Sequence, residues 1–280
     1  PAASDAESLG LAPRPLKVLL AEDNPVNQAL VAHMLERMGH SSILVEHGAQ
    51  AVELAATQSF DAILMDMQMP VMDGETATRL IRALPDSRAN VPIIALTADA
   101  VLEHRDRYLA AGLDAFLTKP VSWKLLARTL DEAAARRPTA EPEFSVPQEQ
   151  EPEKIAKAAP EPPSQAPVID RAYLEDMRQW VGDTTLLSLL ATAHDSFTGE
   201  LAVIRKGWAS GDLTSVRETA HRLKGAAGSV GCRRLADLSH RIQKLTQAEL
   251  GENQILEDLI QEVAIALEAI SQWKPMEVAQ

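Results

Sequence analysis

The first part of the chain, up to residue 136, alternates short apolar runs with longer amphipathic stretches. Apolar residues at threes and fours predict helices at 25–38, 48–57, 74–84, 101–111 and 121–136. The apolar runs are short enough for strands that are covered on both faces of a sheet. They lie at 17–21, 42–46, 61–65, 91–96 and 114–117. Five strands alternating with five helices predict an α/β doubly wound fold with a five-stranded parallel sheet.

Beyond residue 168 the pattern is helical throughout. Apolar residues again recur at threes and fours, with Gly or Asp between the stretches, which is typical of helices joined by short turns. The predicted helices are 170–180, 184–206, 212–230, 233–248 and 252–273. We therefore expect an antiparallel, all-α helical bundle in this part of the chain.

Prolines concentrate between these two patterns. Residues 134–168 contain eight of them, interleaved with Glu, Gln and Ala, and this density prevents regular helix or sheet. We interpret 134–168 as an acidic, semi-extended linker and 1–15 as a second linker. The predicted domains are then 16–133 and 169–274.

The charge and the single cysteine narrow the classes of function. A formal net charge of −13 repels phosphate backbones, and no Lys/Arg cluster offsets it, so direct nucleic-acid binding is not expected. Cys232 has neither a disulfide partner nor a CxxC motif, which fits a reducing compartment. No apolar run reaches the roughly 18 to 20 residues of a membrane span. We expect a cytoplasmic segment that makes no membrane contact.

Polar residues follow the predicted strands at the edge where doubly wound sheets bind ligands. Glu22 and Asp23 follow the first strand, Asp66 the third, Thr97 the fourth and Lys119 the fifth. Converging carboxylates repel one another unless a cation joins them, and oxygen ligands of this kind suit Mg2+. The Thr97 hydroxyl and the Lys119 ammonium can bind phosphoryl oxygens, which leaves Asp66 to act as a nucleophile.

Four motifs resemble the receiver domains of two-component signalling, in their order and in their spacing. They are ED at 22–23, LMDMQMPVMDG at 64–74, LTA at 96–98 and FLTKP at 116–120. The resemblance implies that Asp66 is the phosphoacceptor and that Glu22 and Asp23 help to hold Mg2+. It also implies that the backbone carbonyl of Gln68 is a further metal ligand.

The same resemblance assigns roles to residues on the last two strands. Thr97 and Phe116 match the receiver switch pair, in which the hydroxyl moves toward the phosphoryl group and the ring turns inward. Lys119 matches the lysine that binds the phosphoryl group, and the bond to Pro120 is expected to be cis.

A second candidate site lies on the helix predicted at 212–230. His221 stands one residue away from the apolar stripe of this helix, and Lys224, Gly225 and Gly228 share its face. Glycine inside a helix costs about 1 kcal/mol relative to alanine, so the two glycines indicate that another surface approaches here. An imidazole on such a face can accept a phosphoryl group, with the charge of Lys224 near the incoming oxygens.

The run HRLKGAAGSVG at 221–231 resembles the signature of histidine phosphotransfer (HPt) domains. The resemblance implies a four-helix bundle with a short leading helix, in which His221 is phosphorylated, Lys224 is its electrostatic partner and Gly225 and Gly228 form a docking face. A kinase dimerisation helix also exposes a phosphohistidine. It is disfavoured because no acidic residue directly follows His221 and no Gly-rich nucleotide-binding segment occurs.

Together the resemblances predict a phosphorelay module from the C-terminal part of a hybrid sensor histidine kinase. Asp66 would receive a phosphoryl group from a kinase histidine, in the same parent chain or a separate one. His221 would take it from Asp66 and pass it to the receiver of a downstream response regulator. The chain begins with Pro1 rather than Met, as expected for a portion of a longer protein, and the parent is expected either free in the cytoplasm or anchored in the inner membrane.

Two alternatives stay open at this point. A free-standing receiver and phosphotransfer protein would use the same residues with a separate kinase. Alternatively, the receiver would be a phosphorylation-controlled interaction module, with His221 idle or draining phosphate. Because the sequence has no ATP-binding kinase domain, whether the chain counts as an enzyme also stays open.

Overall fold

The computed structural model describes residues 14–97, 108, 110–135, 167–249 and 253–274, which fall into two units. The first contains a parallel sheet in the order β2-β1-β3-β4-β5. Residues of β1, β3 and β4 are almost all buried, because helices cover both faces of the sheet. The strands are β1 (Lys17–Ala21), β2 (Ser41–Val45), β3 (Ala62–Asp66), β4 (Ile93–Thr97) and β5 (Ala115–Thr118). The predicted doubly wound, five-stranded parallel sheet is confirmed.

The strand ends differ from the prediction at the edge that carries the polar residues. Asp66 and Thr97 are the last residues of β3 and β4, whereas we expected them to follow these strands. The ladder continues because Asp66 pairs with Leu96 and the N–H of Met67 donates to the Leu96 carbonyl at 3.2 Å. Both polar side chains are therefore held by strand backbone rather than by a loop.

Four helices that are described from end to end lie beside the sheet. Asp73 begins the third of them as its N-cap, with its carboxylate accepting from the Thr76 N–H at 2.7 Å. The predicted helix at 101–111 lies largely outside the described residues; Tyr108, Ala110 and Ala111 are helical. The helices are α1 (Pro25–Arg37), α2 (Gly48–Thr57), α3 (Gly74–Arg82) and α4 (Trp123–Ala135).

The second unit consists of helices in its described residues, as the periodicity predicts. Each of the five helices overlaps its predicted span, and the first of them is short, with 11 residues. They are α5 (Arg171–Val181), α6 (Asp183–Ser210), α7 (Leu213–Ser229), α8 (Arg233–Gln243) and α9 (Asn253–Ser271). None of the helices in the described part of the chain has the length and apolar content needed to cross a membrane.

The end of α8 is the largest departure from the predicted helices. The helix ends at Gln243, whereas the periodicity predicted that it would run to residue 248. Thr246 starts a separate turn, because its N–H and its hydroxyl both donate to the Glu249 carboxylate at 2.7 Å. The apolar Leu245 is still buried. Its position in the sequence therefore continues the helical spacing of apolar residues, although its backbone lies outside the helix.

Candidate functional site

The carboxylates of Glu22, Asp23 and Asp66 form one cluster. One oxygen from each lies within 4.8 Å of the others. The pairing of β1 with β3 brings these carboxylates together. Ala21 is opposite Met65, and the residue that follows each of them in the chain, Glu22 or Asp66, carries a carboxylate. Glu22 and Asp66 are 1% and 2% exposed. Such buried anions require a cation beside them.

Lys119 supplies a cation to this cluster. Its Nζ lies 2.7 Å from Glu22 Oε2 and 2.7 Å from Asp66 Oδ2. Burial by itself would lower the pKa of Lys119, but the charges of Asp66 and Glu22 outweigh it and raise the pKa above its usual value. The Lys119 N–H donates to the Thr97 carbonyl at 2.7 Å, and the bond to Pro120 is cis, as expected. The ammonium is therefore fixed between two carboxylates and stays charged.

The loop from Asp66 to Gly74 is packed closely against its neighbours. The Gln68 N–H donates to Asp66 Oδ1 at 3.1 Å, which keeps residue 68 beside the carboxylate. A Cβ on Gly74 would lie 2.2 Å from the Asp66 carbonyl oxygen, and one on Gly48 would lie 2.7 Å from that of Met72. The Gly48 N–H also donates to the Met72 carbonyl at 3.1 Å. Both glycines thus allow a backbone approach that any other residue would prevent.

Val71, in the same loop, has a left-handed backbone, with φ of 67°. This region is unfavourable for a β-branched residue, and the side chain is 83% exposed, so no burial of Val71 offsets the strain. The Met72 N–H donates to the Pro70 carbonyl at 2.7 Å, and this bond closes a tight turn across Val71.

The predicted switch pair lies on adjacent strands. Thr97 ends β4 and is buried, next to the strand that carries Asp66. Phe116 lies in β5 opposite Ala95 and is partly buried against the core. The structure brings Thr97 to the same sheet edge as Asp66 and Lys119, and the switching role of the pair stays a prediction.

In the helical unit, His221 lies on α7 with Lys224, Gly225 and Gly228 following it at helical spacing. Its Nδ1 lies 3.0 Å from the side-chain nitrogen of Gln243. This contact suits either neutral tautomer. With the amide nitrogen toward the ring, Nδ1 accepts; with the amide turned over, Nδ1–H donates to the amide oxygen. The partner of the imidazole thus comes from a second helix.

Sequence reasoning missed Gln243 and Gly48. Gln243 is 22 residues away from His221, and only the packing of α8 against α7 brings the two side chains together. Gly48 looks like an ordinary residue near a helix start, and its role depends on the Met72 carbonyl, which lies in a different connection. No local signal in the sequence identifies either contact.

Comparison with known proteins gives matches to both units. The family model described as the response regulator receiver domain matches residues 18–131, and the model described as the Hpt domain matches residues 171–273. Each covers less than half of the chain, and together they cover both units.

Curated relatives match almost the whole chain. Sensor protein GacS from Pseudomonas syringae pv. syringae is 32% identical over 265 residues, which is 92% of this chain and 28% of GacS. Aerobic respiration control sensor protein ArcB from Escherichia coli is 28% identical over 260 residues, which is 92% of this chain and 32% of ArcB. The chain thus spans about a third or less of each of these relatives.

A solved structure resembles the first unit in sequence. It is the receiver domain of sensor histidine kinase PA1611 from Pseudomonas aeruginosa, described with a magnesium ion coordinated in its active site cleft. It is 45% identical and covers 44% of this chain and 100% of that structure, with a TM-score of 0.41.

Proposed function

We propose, on the premise that the chain joins a response regulator receiver domain to an Hpt domain in one phosphorelay module, that Asp66 and His221 are its two phosphoryl acceptors. The observation that carries the proposal is the position of Asp66 within the buried carboxylate cluster, in contact with Lys119. We take 16–133 and 169–274 as the working domains and 1–15 and 134–168 as linkers, with the difference that α4 continues to Ala135, two residues past the first domain boundary.

The donor set of the acidic cluster fits a divalent cation. In their ionised forms the three carboxylates carry three negative charges and Lys119 one positive charge, so a doubly charged ion brings the sum to zero. All the donors are oxygens, the ligands that Mg2+ prefers. We propose that Glu22, Asp23, Asp66 and the Gln68 carbonyl hold Mg2+. When bound, the ion neutralises charge on the phosphoryl oxygens.

Acceptance at Asp66 is a nucleophilic displacement at phosphorus. A carboxylate oxygen of Asp66 forms the new O–P bond while the N–P bond of the donor phosphohistidine breaks, and the electron pair returns to the imidazole. Lys119 is already within hydrogen-bond distance of Asp66 and is placed to bind the phosphoryl oxygens as they arrive. We propose that the Thr97 hydroxyl binds another of these oxygens and that Phe116 turns inward behind it.

In the transfer to His221 an N–P bond forms and an O–P bond breaks, the reverse of the first step. The lone pair of a ring nitrogen attacks phosphorus, the O–P bond breaks and the electron pair returns to the Asp66 carboxylate. Because Nδ1 faces Gln243, we assign the new bond to Nε2. Lys224 supplies positive charge on the same helix face, and Gly225 and Gly228 leave room for a receiver to approach.

The partners follow from these two steps. A histidine kinase supplies the phosphoryl group, and the receiver of a separate response regulator takes it from His221. The relatives GacS and ArcB are named as sensor proteins, and we propose that this chain serves within a hybrid sensor histidine kinase of this kind. We place it in the cytoplasm, because a relay shares a compartment with the ATP that charges its kinase.

The test is peptide mass spectrometry of the whole chain after incubation with Mg2+ and a small acyl phosphate. We expect phosphate on Asp66 and on His221 in the wild type, on neither in Asp66→Asn, and on Asp66 alone in His221→Gln. Asp73→Asn and His194→Gln are matched controls, since Asn caps a helix as well as Asp does and His194 lies on α6.

Two results would contradict the proposal. Phosphate on His221 in the Asp66→Asn chain would show that the histidine is charged by another route. A wild-type chain that is labelled on Asp66 while His221 stays bare would favour a receiver that acts as an interaction module, with His221 idle.

A further inference from the structure

Arg217 joins the segment just after α8 to the helix that carries His221. Arg217 lies on α7 four residues, about one turn, before His221. Its Nε–H donates to the Leu245 carbonyl at 2.9 Å, and its Nη2 donates to the same oxygen. Leu245 lies two residues beyond Gln243, the residue that contacts the imidazole. Arg217 and His221 thus reach the same short segment from the same face of α7.

Leu245 lies beyond the last residue of α8, and Arg217 binds its carbonyl. The next residues have contacts of their own, from Thr246 to Glu249 and from Gln247 Nε2 to the Gly211 carbonyl at 3.2 Å. Helix α8 ends at Gln243, and the last backbone bond of the turn joins the Leu245 N–H to the Ile242 carbonyl at 3.1 Å. The final residues of a helix fray because their carbonyls lack helical partners. A guanidinium with two donors on the Leu245 carbonyl, two residues past the helix end, limits this fraying, and its charge suits the negative end of the helix dipole.

We propose that Arg217 is a positioning residue for phosphoryl transfer: by binding the Leu245 carbonyl it holds Gln243 against Nδ1 and so fixes the imidazole of His221. The inference rests on the proposed function, in which His221 is the acceptor. It adds a residue that contacts neither the phosphoryl group nor the ring and acts through Gln243.

The chemistry explains why the position of Gln243 matters. Attack at phosphorus needs the lone pair on Nε2, and therefore the tautomer with the proton on Nδ1. With its amide oxygen toward the ring, Gln243 accepts that Nδ1–H. As the Nε2–P bond forms and the O–P bond of the acyl phosphate breaks, the ring becomes positive and the same amide oxygen stabilises it. A frayed α8 end would leave Nδ1–H without this fixed acceptor.

The experiment uses the whole chain with 15N-labelled histidine. The nitrogen chemical shifts report the tautomer of each ring, and the spectrum of His221→Gln identifies the signals of His221 among those of the seven histidines. Four variants are compared with the wild type: Arg217→Met, which keeps the apolar stem; Arg217→Lys, which keeps a charge; Gln243→Met; and Arg205→Met, an exposed arginine on α6 as control.

We expect Gln243→Met and Arg217→Met to move the His221 nitrogen shifts in the same direction, toward a mixture of tautomers. Both should slow phosphoryl transfer to His221 about tenfold, as expected when a reacting group is no longer held in place. Arg217→Lys should be intermediate and Arg205→Met unchanged. If Arg217→Met does not fold, the lysine variant and Gln243→Met decide the question on the same signals.

Wild-type nitrogen shifts and transfer rate in Arg217→Met would overturn the proposal, even if the bundle were less stable, because Arg217 would then only stabilise the fold. The same follows if Gln243→Met leaves the ring unchanged. Failure of the proposed function looks different: the tautomer shifts would respond as expected while no phosphate reached His221 in the wild type.

Discussion

The acidic site and the histidine site are built in different ways. The acidic site brings carboxylates from the ends of β1 and β3 together with Lys119, which follows β5, and Glu22 and Asp66 are buried there. The histidine site is one face of α7, and Gln243 of α8 contacts its imidazole. Removing the Lys119 charge leaves buried carboxylates uncompensated, whereas Lys224 is only partly buried on its helix. The two sites should therefore differ in how far stability depends on their functional side chains.

The sharpest test of this difference is the pair Lys119→Met and Lys224→Met. Removing one partner of a buried ion pair costs about 3 kcal/mol or more, so the receiver unit without Mg2+ should lose about that much stability. Mg2+ should restore most of it, because binding to the folded state alone stabilises it. Lys224→Met should change the bundle by less than about 1 kcal/mol. Hydrogen exchange of peptides from β3 and α7 measures each unit separately.

The raised pKa of Lys119 also fixes the pH range of this effect. A group whose folded pKa is raised contributes fully below its unfolded value, about 10.4 for lysine, and loses the contribution only as pH rises beyond it. The difference between wild type and Lys119→Met should therefore be constant from pH 7 to 9. Equal losses of stability in Lys119→Met and Lys224→Met would contradict this contrast between the sites. So would a Lys119→Met chain whose stability Mg2+ does not restore.

Glycines give the second contrast. Gly48→Ala places a methyl group 2.7 Å from the Met72 carbonyl, so the loop that carries Gln68 must move, and we expect Mg2+ affinity to fall about tenfold, by analogy with lost support around a metal site. Titration calorimetry with Mg2+ measures this. Leu35→Ala is the control, since it removes buried volume at the end of α1 away from the metal ligands. Unchanged Mg2+ affinity in folded Gly48→Ala would contradict the role of this contact.

In the bundle, Gly228→Ala should raise the free energy of unfolding but slow phosphoryl transfer. A Cβ there meets nothing within 4 Å, and alanine favours helix over glycine by about 1 kcal/mol, so the bundle should become more stable. If this face docks a receiver, phosphoryl transfer through His221 should nevertheless become slower. Thermal unfolding and transfer rates of the same sample check both, with Gly199→Ala on α6 as the control. Faster or unchanged transfer would remove Gly228 from the docking face.

The smallest expected effect is a loss of receiver stability at mildly acidic pH, caused by His40. Burial lowers the pKa of His40, against the opposing charges of Asp131 and Asp61, and its Nδ1 accepts from the Leu16 N–H at 3.1 Å. The unfolded chain binds the proton more readily, so receiver stability should fall as pH drops below about 6.5, the unfolded value. Exchange of the Leu16 amide between pH 5 and 7 measures it. His40→Gln should remove the pH dependence, and its persistence there would assign it elsewhere.

The sequence predicted the parts of each site that local pattern controls. The strand runs placed Glu22, Asp66 and Thr97 at one sheet edge, because parallel strands bring their carboxyl ends together. Helical spacing likewise placed Gly225 and Gly228 on the face of His221. What the pattern missed depends on neighbours that are distant in the chain.

Gln243 and Gly48 are the clearest of these. Each acts on a residue of another element, so no periodicity of its own segment marks it. The predicted end of α8 at residue 248 was wrong for a related reason. The apolar spacing continues past Gln243, whereas the Thr246 and Glu249 side chains form a separate turn. Tertiary contacts and side-chain hydrogen bonds, rather than hydrophobic pattern, decide these positions.

The most direct test of the account follows a phosphoryl group from one acceptor to the other. The His221→Gln chain is phosphorylated on Asp66, freed of its donor, and mixed with the Asp66→Asn chain, in which His221 is the proposed acceptor. Mass spectrometry of quenched samples follows both residues over time. The account predicts that phosphate leaves Asp66 of the first chain and appears on His221 of the second before it is hydrolysed. If Asp66 loses its phosphate only to water while His221 stays bare, the two sites do not form a relay.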